Sequence, residues 1–536
     1  MKRKITSVLS IFLGAVFCCQ LAGCGEDQTF RGDVMPWNGI LINDGEPVTL
    51  LVDINNLMPT TNTEPTEQQP VVFRSIQEIT NEFTEMFPNV KIEWAYSKKS
   101  VGDWAQWMTT QIATNDAPDI VMMHGSEYSD RDWFIKLDDI LEEPNVFVNE
   151  DARGSERWKD MFPNYMWTSD MTADAAGNIV AVPVTCYPGT ATSYFYNTEI
   201  FEELGLKVPR TWEEFKDVCA VINAEKDENG KQKYIAVAPW SLNASATVDT
   251  WDIQFSLGPT YAEKIKDQWD YDGNGAMTQD ELLRAVYEGV FYGQGPNAKN
   301  IKSLYSEARY KYEHILQKGA SDTDYEPLWN QGKVAMMEDG LWRMSAENVN
   351  AERKFKYGIF PVPLADSETS EYCADYEYGQ GAYNPPIAES FNICKQAVEQ
   401  KGEAHLLASK LFLMWLTVPD NLNRMIDEKA GEYLGCVYDT IIPADIEEYV
   451  KGEFARAPSC QWTTGVTVAT QTTMSRYFQY WVLGAYDDAR FFKGYDEKLY
   501  EGAQVMINAL GIDTTNWKNG YKAGFDYTAI QFDDEV

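Results

Sequence analysis

Histidine is nearly missing from this chain. Its 536 residues carry three, His124, His314 and His405. They are scattered, form no metal triad, and each reads as structural or exposed. Cysteine is scarce too, at nine. Six follow residue 24: Cys186, Cys219, Cys373, Cys394, Cys436 and Cys460. No Cys-x-x-Cys spacing occurs, so zinc and dithiol redox motifs have no support. Six cysteines in so long a chain do not make a dense disulfide framework, and buried free thiols and disulfides both stay open. Positive charge is in deficit, with 45 Lys and Arg against 82 Asp and Glu, for a net charge of −37. Such a chain repels nucleic acid and anionic lipid surfaces. No basic patch is interleaved with aromatics, and nucleic acid is not an expected partner. Nucleophile elbows, H-E-x-x-H, P-loops and dinucleotide fingerprints are also absent. A glycosidase needs only two carboxylates at a set separation, and 82 acidic residues leave such a pair open.

What is present is length, aromatic mass and a distinctive start. The length suffices for about two to four domains' worth of core. There are 17 Trp, 30 Tyr and 24 Phe. Roughly three rings in four belong to core, which leaves some to stack on a ligand. Lys2-Arg3-Lys4 precedes an apolar run from Ile5 to Phe17, then Leu21-Ala22-Gly23-Cys24. A basic start, a short apolar run and small residues read as an export signal. The ending L-A-G-C resembles a bacterial lipobox, which implies cleavage before Cys24 and diacylglyceryl attachment to its sulfur. Loss of the three leading cations takes the net charge to about −40. No later run is long and charge-free enough to span a bilayer. The expected location is the extracellular face of the cytoplasmic membrane, with the membrane touched through the lipid alone.

The stretch 193–215 organises the rest. Tyr194-Phe195-Tyr196 is strand-like. A helix-like segment follows, with Ile200, Phe201 and Leu204 on one face. Gly205 stands where a C-cap is expected, and Pro209 ends any continuing helix. Thr211 is placed to cap a second helix, with Glu214 three residues on as in a capping box. Strand, helix, stop and capped helix make one unit of an α/β domain. The string itself, Tyr-Asn, three residues, Phe, three residues, Gly-Leu, then Pro-x-Thr-Trp-x-x-Phe, resembles bacterial extracellular solute-binding proteins that feed carbohydrate ABC importers.

Other runs carry the same resemblance. A helix over 75–86 leads through Phe87-Pro88-Asn89-Val90 into a strand to Trp94. A helix over about 103–115 precedes Ala117-Pro118-Asp119-Ile120-Val121. In the family the latter strand ends beside the cleft, which places Met123, His124 and Gly125 at its edge. Gly177 to Pro183 resembles the run by which the family's chain enters its second lobe. Residues 327–342, PLWNQGKVAMMEDGLW, and Tyr357 to Pro363 resemble two further family runs. Strands are also expected at Val48–Val52, Lys233–Trp240 and Phe391–Ile393, with an amphipathic helix over Ala404–Leu416. The resemblance implies a two-lobed α/β fold of the periplasmic-binding-protein type, with a hinge and a ligand cleft between the lobes. The expected division is 1–23 signal peptide, 24–46 tether, 47–165 first lobe, and 166–365 second lobe. Residues 366–450 would return to the first lobe, and 451–536 would be helices mostly of the second. The implied function is capture of a carbohydrate, an oligosaccharide given the aromatic load, by a monomer that delivers it to ABC importer permease subunits without catalysis. An extracellular carbohydrate-active enzyme and a sugar sensor docking on a membrane receptor are the alternatives.

Residues 270–281, DYDGNGAMTQDE, fit D-x-[DN]-x-[DN]-G-x5-E at every specified position. The run resembles an EF-hand calcium loop. Asp270, Asp272, Asn274, the Ala276 carbonyl and a bidentate Glu281 would be ligands, with Thr278 acting directly or through water. Flanking helices are expected over 262–269 and 281–290. One copy in a calcium-rich exterior points to a structural Ca2+ ion. For the sugar, flat rings and planar polar groups are needed. The candidates are Asn55, Trp104, Tyr187, Trp240, Trp342, Tyr378, Tyr383 and Trp462, with Glu338 and Asp339 as further polar contacts.

Overall fold

Val48–Asp53 forms β1, with Val48, Leu50 and Val52 turned into the core on alternate positions. The structure is a computed structural model. It describes residues 34–66, 71–96, 104–128, 131–169, 171–174, 176–188, 192–240, 251–253, 256–273, 275, 277–316, 324–376, 385–429, 431–451 and 466–530. Strand β2 (Val90–Trp94) and strand β3 (Ile120–Met122) flank β1 in parallel. Parallel neighbours require crossovers. Helix α1 (Ser75–Met86) supplies the first and α2 (Trp104–Thr114) the second. Both lie where the apolar spacing predicts. Strand β4 (Val182–Cys186) is buried along its whole length.

The central unit then follows. Strand β5 (Thr192–Asn197) ends at Asn197, whose side chain accepts from the N–H groups of Glu199 and Ile200 and caps α3 (Thr198–Leu204). Gly205 closes that helix at φ 64, the left-handed conformation glycine adopts without penalty. Thr211 caps α4 (Trp212–Ala224) by accepting from the Glu214 N–H. The expected return bond is displaced by one residue: Glu214 Oε2 takes the Arg210 N–H at 2.7 Å. Strand β6 (Ile235–Pro239), helices α5 (Leu257–Glu263), α6 (Gln279–Glu288) and α7 (Ala298–Tyr310), and strands β7 (Val334–Gly340) and β8 (Tyr357–Pro361) complete this part. The chain then gives β9 (Ile387–Ile393), α8 (Glu403–Leu416), α9 (Pro419–Glu428), β10 (Leu434–Gly435), α10 (Val468–Val482) and α11 (Asp488–Leu510).

Among the described residues two sheets result, each in its own core. One has the order β10-β4-β9-β3-β1-β2, the other β6-β7-β5-β8. In the first, β9 is antiparallel to both β3 and β4. Asp119, from the A-P-D-I-V run, ties that lobe together. Its carboxylate is 1% exposed and accepts from Leu51 N–H (2.8 Å) and Lys401 Nζ (2.7 Å), with His405 Nδ1 at 2.8 Å. In the second lobe, Tyr194 stacks on Phe215 at 4.8 Å, and Trp212 Nε1 donates to Glu307 at 2.8 Å. Phe478, Trp481 and Phe491 place α10 and α11 on this second core. No helix among the described residues is long and apolar enough to cross a membrane.

The lobe boundaries differ from those expected at 166, 366 and 450. Met166 and Trp167 still pack in the first core, because β4 pairs with β9 there. The chain passes to the second core within 187–193, returns within 374–386 and passes over again within 438–445. Cys373 still belongs to the second core, and Ile446 and Tyr449 already do. Leu434 packs against both.

Candidate ligand cleft between the lobes

Trp342 stands at the carboxyl end of β7, and Gly340 is what lets it. A Cβ on Gly340 would lie 2.1 Å from Cζ3 of the Trp342 ring, which folds back over the glycine. That contact gives the G-x-W spacing a steric reason. Trp342 is 36% exposed. It meets Trp251 at 5.7 Å and Tyr187 at 6.1 Å, both edge-on. Tyr187 follows β4 at the first passage between lobes, and meets Tyr433 at 6.1 Å. A line of four rings therefore runs from the first lobe, through a connection, to the second.

Acceptors border the line. The Tyr433 hydroxyl donates to Glu389 Oε1 at 3.3 Å, and Asn56 Nδ2 donates to the same oxygen at 3.5 Å. Asn55 begins the short turn Asn55–Leu57 beyond β1, at φ 51, a left-handed value that asparagine tolerates. Asp339, 9% exposed, accepts from the Gly340 N–H at 2.8 Å. Burial pushes its carboxyl up to about 6, against the pull of that N–H and of Arg343. Burial also raises Glu432, against Lys429 and Ser345. Burial, with the Glu389 and Glu432 charges, pushes the Tyr187 phenol up.

The structure brings Tyr187 and Trp342 together at this junction, places Asn55 next to Asn56 at the acidic border, and corrects two other expectations. Trp104 is 1% exposed and stacked on His124, with centroids 5.0 Å apart and planes 6° from parallel. It belongs to the first core rather than to a ligand face. Trp240 packs edge-on to Phe195 (5.2 Å) and Trp329 (5.7 Å), with the Arg343 guanidinium 4.6 Å from its ring centroid. Its ring is half-buried against the second core. Glu338 is fully buried and paired with Lys311 at 2.7 Å. Lys311, itself fully buried, also meets both oxygens of Asp252, at 2.7 and 2.6 Å. Burial, then the Glu338 charge, holds the Asp252 carboxyl well above the usual range. Tyr378, Tyr383 and Trp462 lie outside the described residues, as do Cys24 and Cys460. Trp251, Tyr433 and Glu389 were not singled out from sequence. Tyr433 had one usable signal, its place in the polar-aromatic run Gly431-Glu432-Tyr433.

The 270–281 loop lies apart, on the second lobe. Carboxylate oxygens of Asp270, Asp272 and Glu281 fall within 4.8 Å of one another. Asp270 Oδ2 accepts from the Gly275 N–H at 3.1 Å, while buried Asp270 Oδ1 has no partner among the described residues. Gly273 and Gly275 take φ 76 and 81, which favour glycine. Glu281 accepts from Tyr271 N–H, Asp272 N–H and the Thr278 N–H and hydroxyl. Thr278 is thus the N-cap of α6, with Glu281 in a full capping box. The flanks differ from those expected: α5 ends at Glu263 and a short 3-10 turn, Lys266–Gln268, precedes the loop. Asn274 and Ala276 lie outside the described residues.

The family model for bacterial extracellular solute-binding proteins matches residues 67–421, which include both sheets but for strands β1 and β10. The chain belongs to that family. Among curated relatives, the multiple sugar-binding protein of Streptococcus mutans is 22% identical over 292 residues, 54% of this chain and 59% of the relative. The solute-binding protein thus spans 59% of that relative's length in the match. Two solved structures share its two-lobed fold. RafE from Streptococcus pneumoniae, in apo form, has a TM-score of 0.53 at 17% identity, over 85% of this chain and 98% of its own. A sugar transporter protein from Bacillus licheniformis, in complex with stachyose, has a TM-score of 0.50 at 14% identity, over 85% and 100%. In this solute-binding protein the ring line and its acidic border occupy the junction of the two lobes.

Proposed function

We propose that this solute-binding protein captures an oligosaccharide between its lobes and delivers it to an ABC importer. The carrying observation is the line Tyr433–Tyr187–Trp342–Trp251, bordered by carboxylates. Sugars offer apolar C–H faces that stack on rings and hydroxyl groups that donate to carboxylates. Several rings in line match several sugar units better than one. The names of the relatives, a multiple sugar-binding protein and a stachyose complex, support a carbohydrate ligand. The acidic border disfavours uronates and favours neutral glycans. A lipid on Cys24 would hold the protein at the membrane beside its permease partners, and the extracellular family supports that side.

Asp270, Asp272 and Glu281 would hold a structural Ca2+. Their converging oxygens, and an Asp270 Oδ1 with no partner among the described residues, support this. The ion would neutralise three clustered carboxylates and fix the start of α6.

Thermal melting of the chain from residue 25 onward, against a panel of neutral oligosaccharides, with and without calcium, tests both readings. Ligand binding to the native state raises the midpoint by mass action. A rise with one glycan class and no product supports capture. No rise across the panel, or turnover of the glycan, overturns it. A calcium-dependent rise that Glu281→Gln abolishes supports the ion, and a rise that the variant leaves intact sinks it.

A further inference from the structure

Cys186 is the last residue of β4, and Cys436 follows β10 directly. The strands are antiparallel neighbours, with Leu434 opposite Cys186 and Gly435 opposite Thr185. The Cys436 N–H donates to the Val184 carbonyl at 3.0 Å. The two sulfurs lie 3.4 Å apart, though 250 residues separate them in the chain. In the structure both are thiols, 1% and 0% exposed. Both also line a cavity of about 450 Å³, with Tyr165, Pro385, Leu434 and Tyr438. The cavity therefore places open space beside sulfurs that are themselves almost fully covered.

We propose that Cys186 and Cys436 form a reversible disulfide that ties together two of the connections between the lobes. The first passage, 187–193, leaves the first lobe from Cys186, and the last, 438–445, leaves it two residues after Cys436. Tyr187, next to Cys186, is also the ring that bridges Tyr433 and Trp342. A bond here holds the ends of both connections in one register and fixes the base of the ring line. Extracellular surroundings allow such bonds to persist. The chemistry is thiol–disulfide exchange with a small disulfide. One cysteine thiolate attacks a sulfur of the small disulfide and releases one small thiol. The second cysteine, losing its proton, then attacks the mixed disulfide and releases the other. Two protein thiols are oxidised and one external disulfide is reduced to two thiols. Burial and the neighbouring Cys186 hold the Cys436 thiol well above its usual range. Exchange is therefore slow at neutral pH and quickens in alkali.

The test is independent of any sugar. The chain from residue 25 onward is incubated with oxidised glutathione at about pH 8, denatured, alkylated and mapped by peptide mass. The expected result is a linked pair of peptides carrying Cys186 and Cys436, two hydrogens lighter than the free pair and lost on reduction. Cys186→Ala and Cys436→Ala should each abolish the link while the protein melts near the reduced parent. The oxidised parent should melt about 2–5 °C above its reduced form. Full alkylation of both cysteines after oxidation, a link to a different cysteine such as Cys460, or arrest at a glutathione adduct would each overturn the bond. Equal melting of oxidised and reduced parent would overturn its role as a tie.

Discussion

Ser345 donates its hydroxyl to Glu432 Oε1 at 2.5 Å, and the bond joins the two lobes. Ser345 follows Met344, which sits in the second core, and Glu432 precedes Tyr433, which sits in the first. Lys429 Nζ approaches the other Glu432 oxygen at 3.6 Å, so the carboxylate is held from both sides. A hydrogen bond to a charged group contributes about 1.5–3 kcal/mol. Ser345→Ala should therefore shift the lobes away from this arrangement and weaken glycan binding by about tenfold or more. Calorimetry on parent and variant reads the effect. Equal affinities would mean that the bond does not help set lobe closure.

Trp342 is the exposed ring of the line and contacts both Tyr187 and Trp251. Trp342→Ala removes stacking area without opening a core cavity. Affinity for the captured oligosaccharide should fall by about 100-fold, the scale of a hot-spot aromatic, while the midpoint of unliganded melting moves little. Trp104→Phe, in the first core, should do the reverse. Unchanged affinity in the Trp342 variant would remove the ring line from the binding site.

Lys311 is the cation between Asp252 and Glu338, and all three are fully buried. Its removal strands two carboxylates in a low-dielectric interior. Breaking a buried pair this way costs about 3–5 kcal/mol. Lys311→Met should lower the urea midpoint of the second lobe by a corresponding amount. Adding Asp252→Asn and Glu338→Gln should recover most of the loss, since neutral amides need no cation. A triple variant no more stable than the single one would contradict the electrostatic account.

What was legible in sequence follows from which forces act locally. The period of Ile79, Phe83 and Met86 fixes α1, and the Gly205 and Thr211 caps act within a few residues of themselves. The family strings likewise located β7 and the G-x-W turn. The ring line was not legible as a line. Tyr187, Trp251, Trp342 and Tyr433 come from four segments, joined by passages between lobes that no local pattern marks. Trp104 and Trp240 show the converse. Trp104 opens α2 and Trp240 follows β6, and only packing reveals that the first is covered by His124 and the second half-buried against Phe195 and Trp329. The separation of 59 positions between Asp252 and Lys311 hides that ion pair for the same reason. The lobe boundary expected at 166 failed because β4 reads as a new beginning but hydrogen-bonds back to β9.

Asp496 sets the sign of the last prediction. It lies on α11, fully buried, and accepts from Gly293 N–H (2.7 Å), Gln294 N–H (3.0 Å) and the Tyr527 hydroxyl (2.9 Å). Burial outweighs these donors and pushes the carboxyl up to about 7. Asp339, pushed up to about 6, acts in the same direction. The folded protein therefore holds a proton on Asp496 that the unfolded chain releases near its ordinary value of 3.8. This contribution is complete below that value and is lost as pH rises towards about 7. Stability from this group should fall with rising pH across that window, by up to about 1.4 kcal/mol per pH unit for one proton. Asp496→Asn cannot titrate, so its urea-unfolding stability should decline less steeply between about pH 4 and pH 7 than the parent's. The comparison is of slopes, because the amide also alters the three hydrogen bonds at every pH. Parallel slopes would show that Asp496 is ionised in the folded protein throughout, and that its three donors outweigh burial.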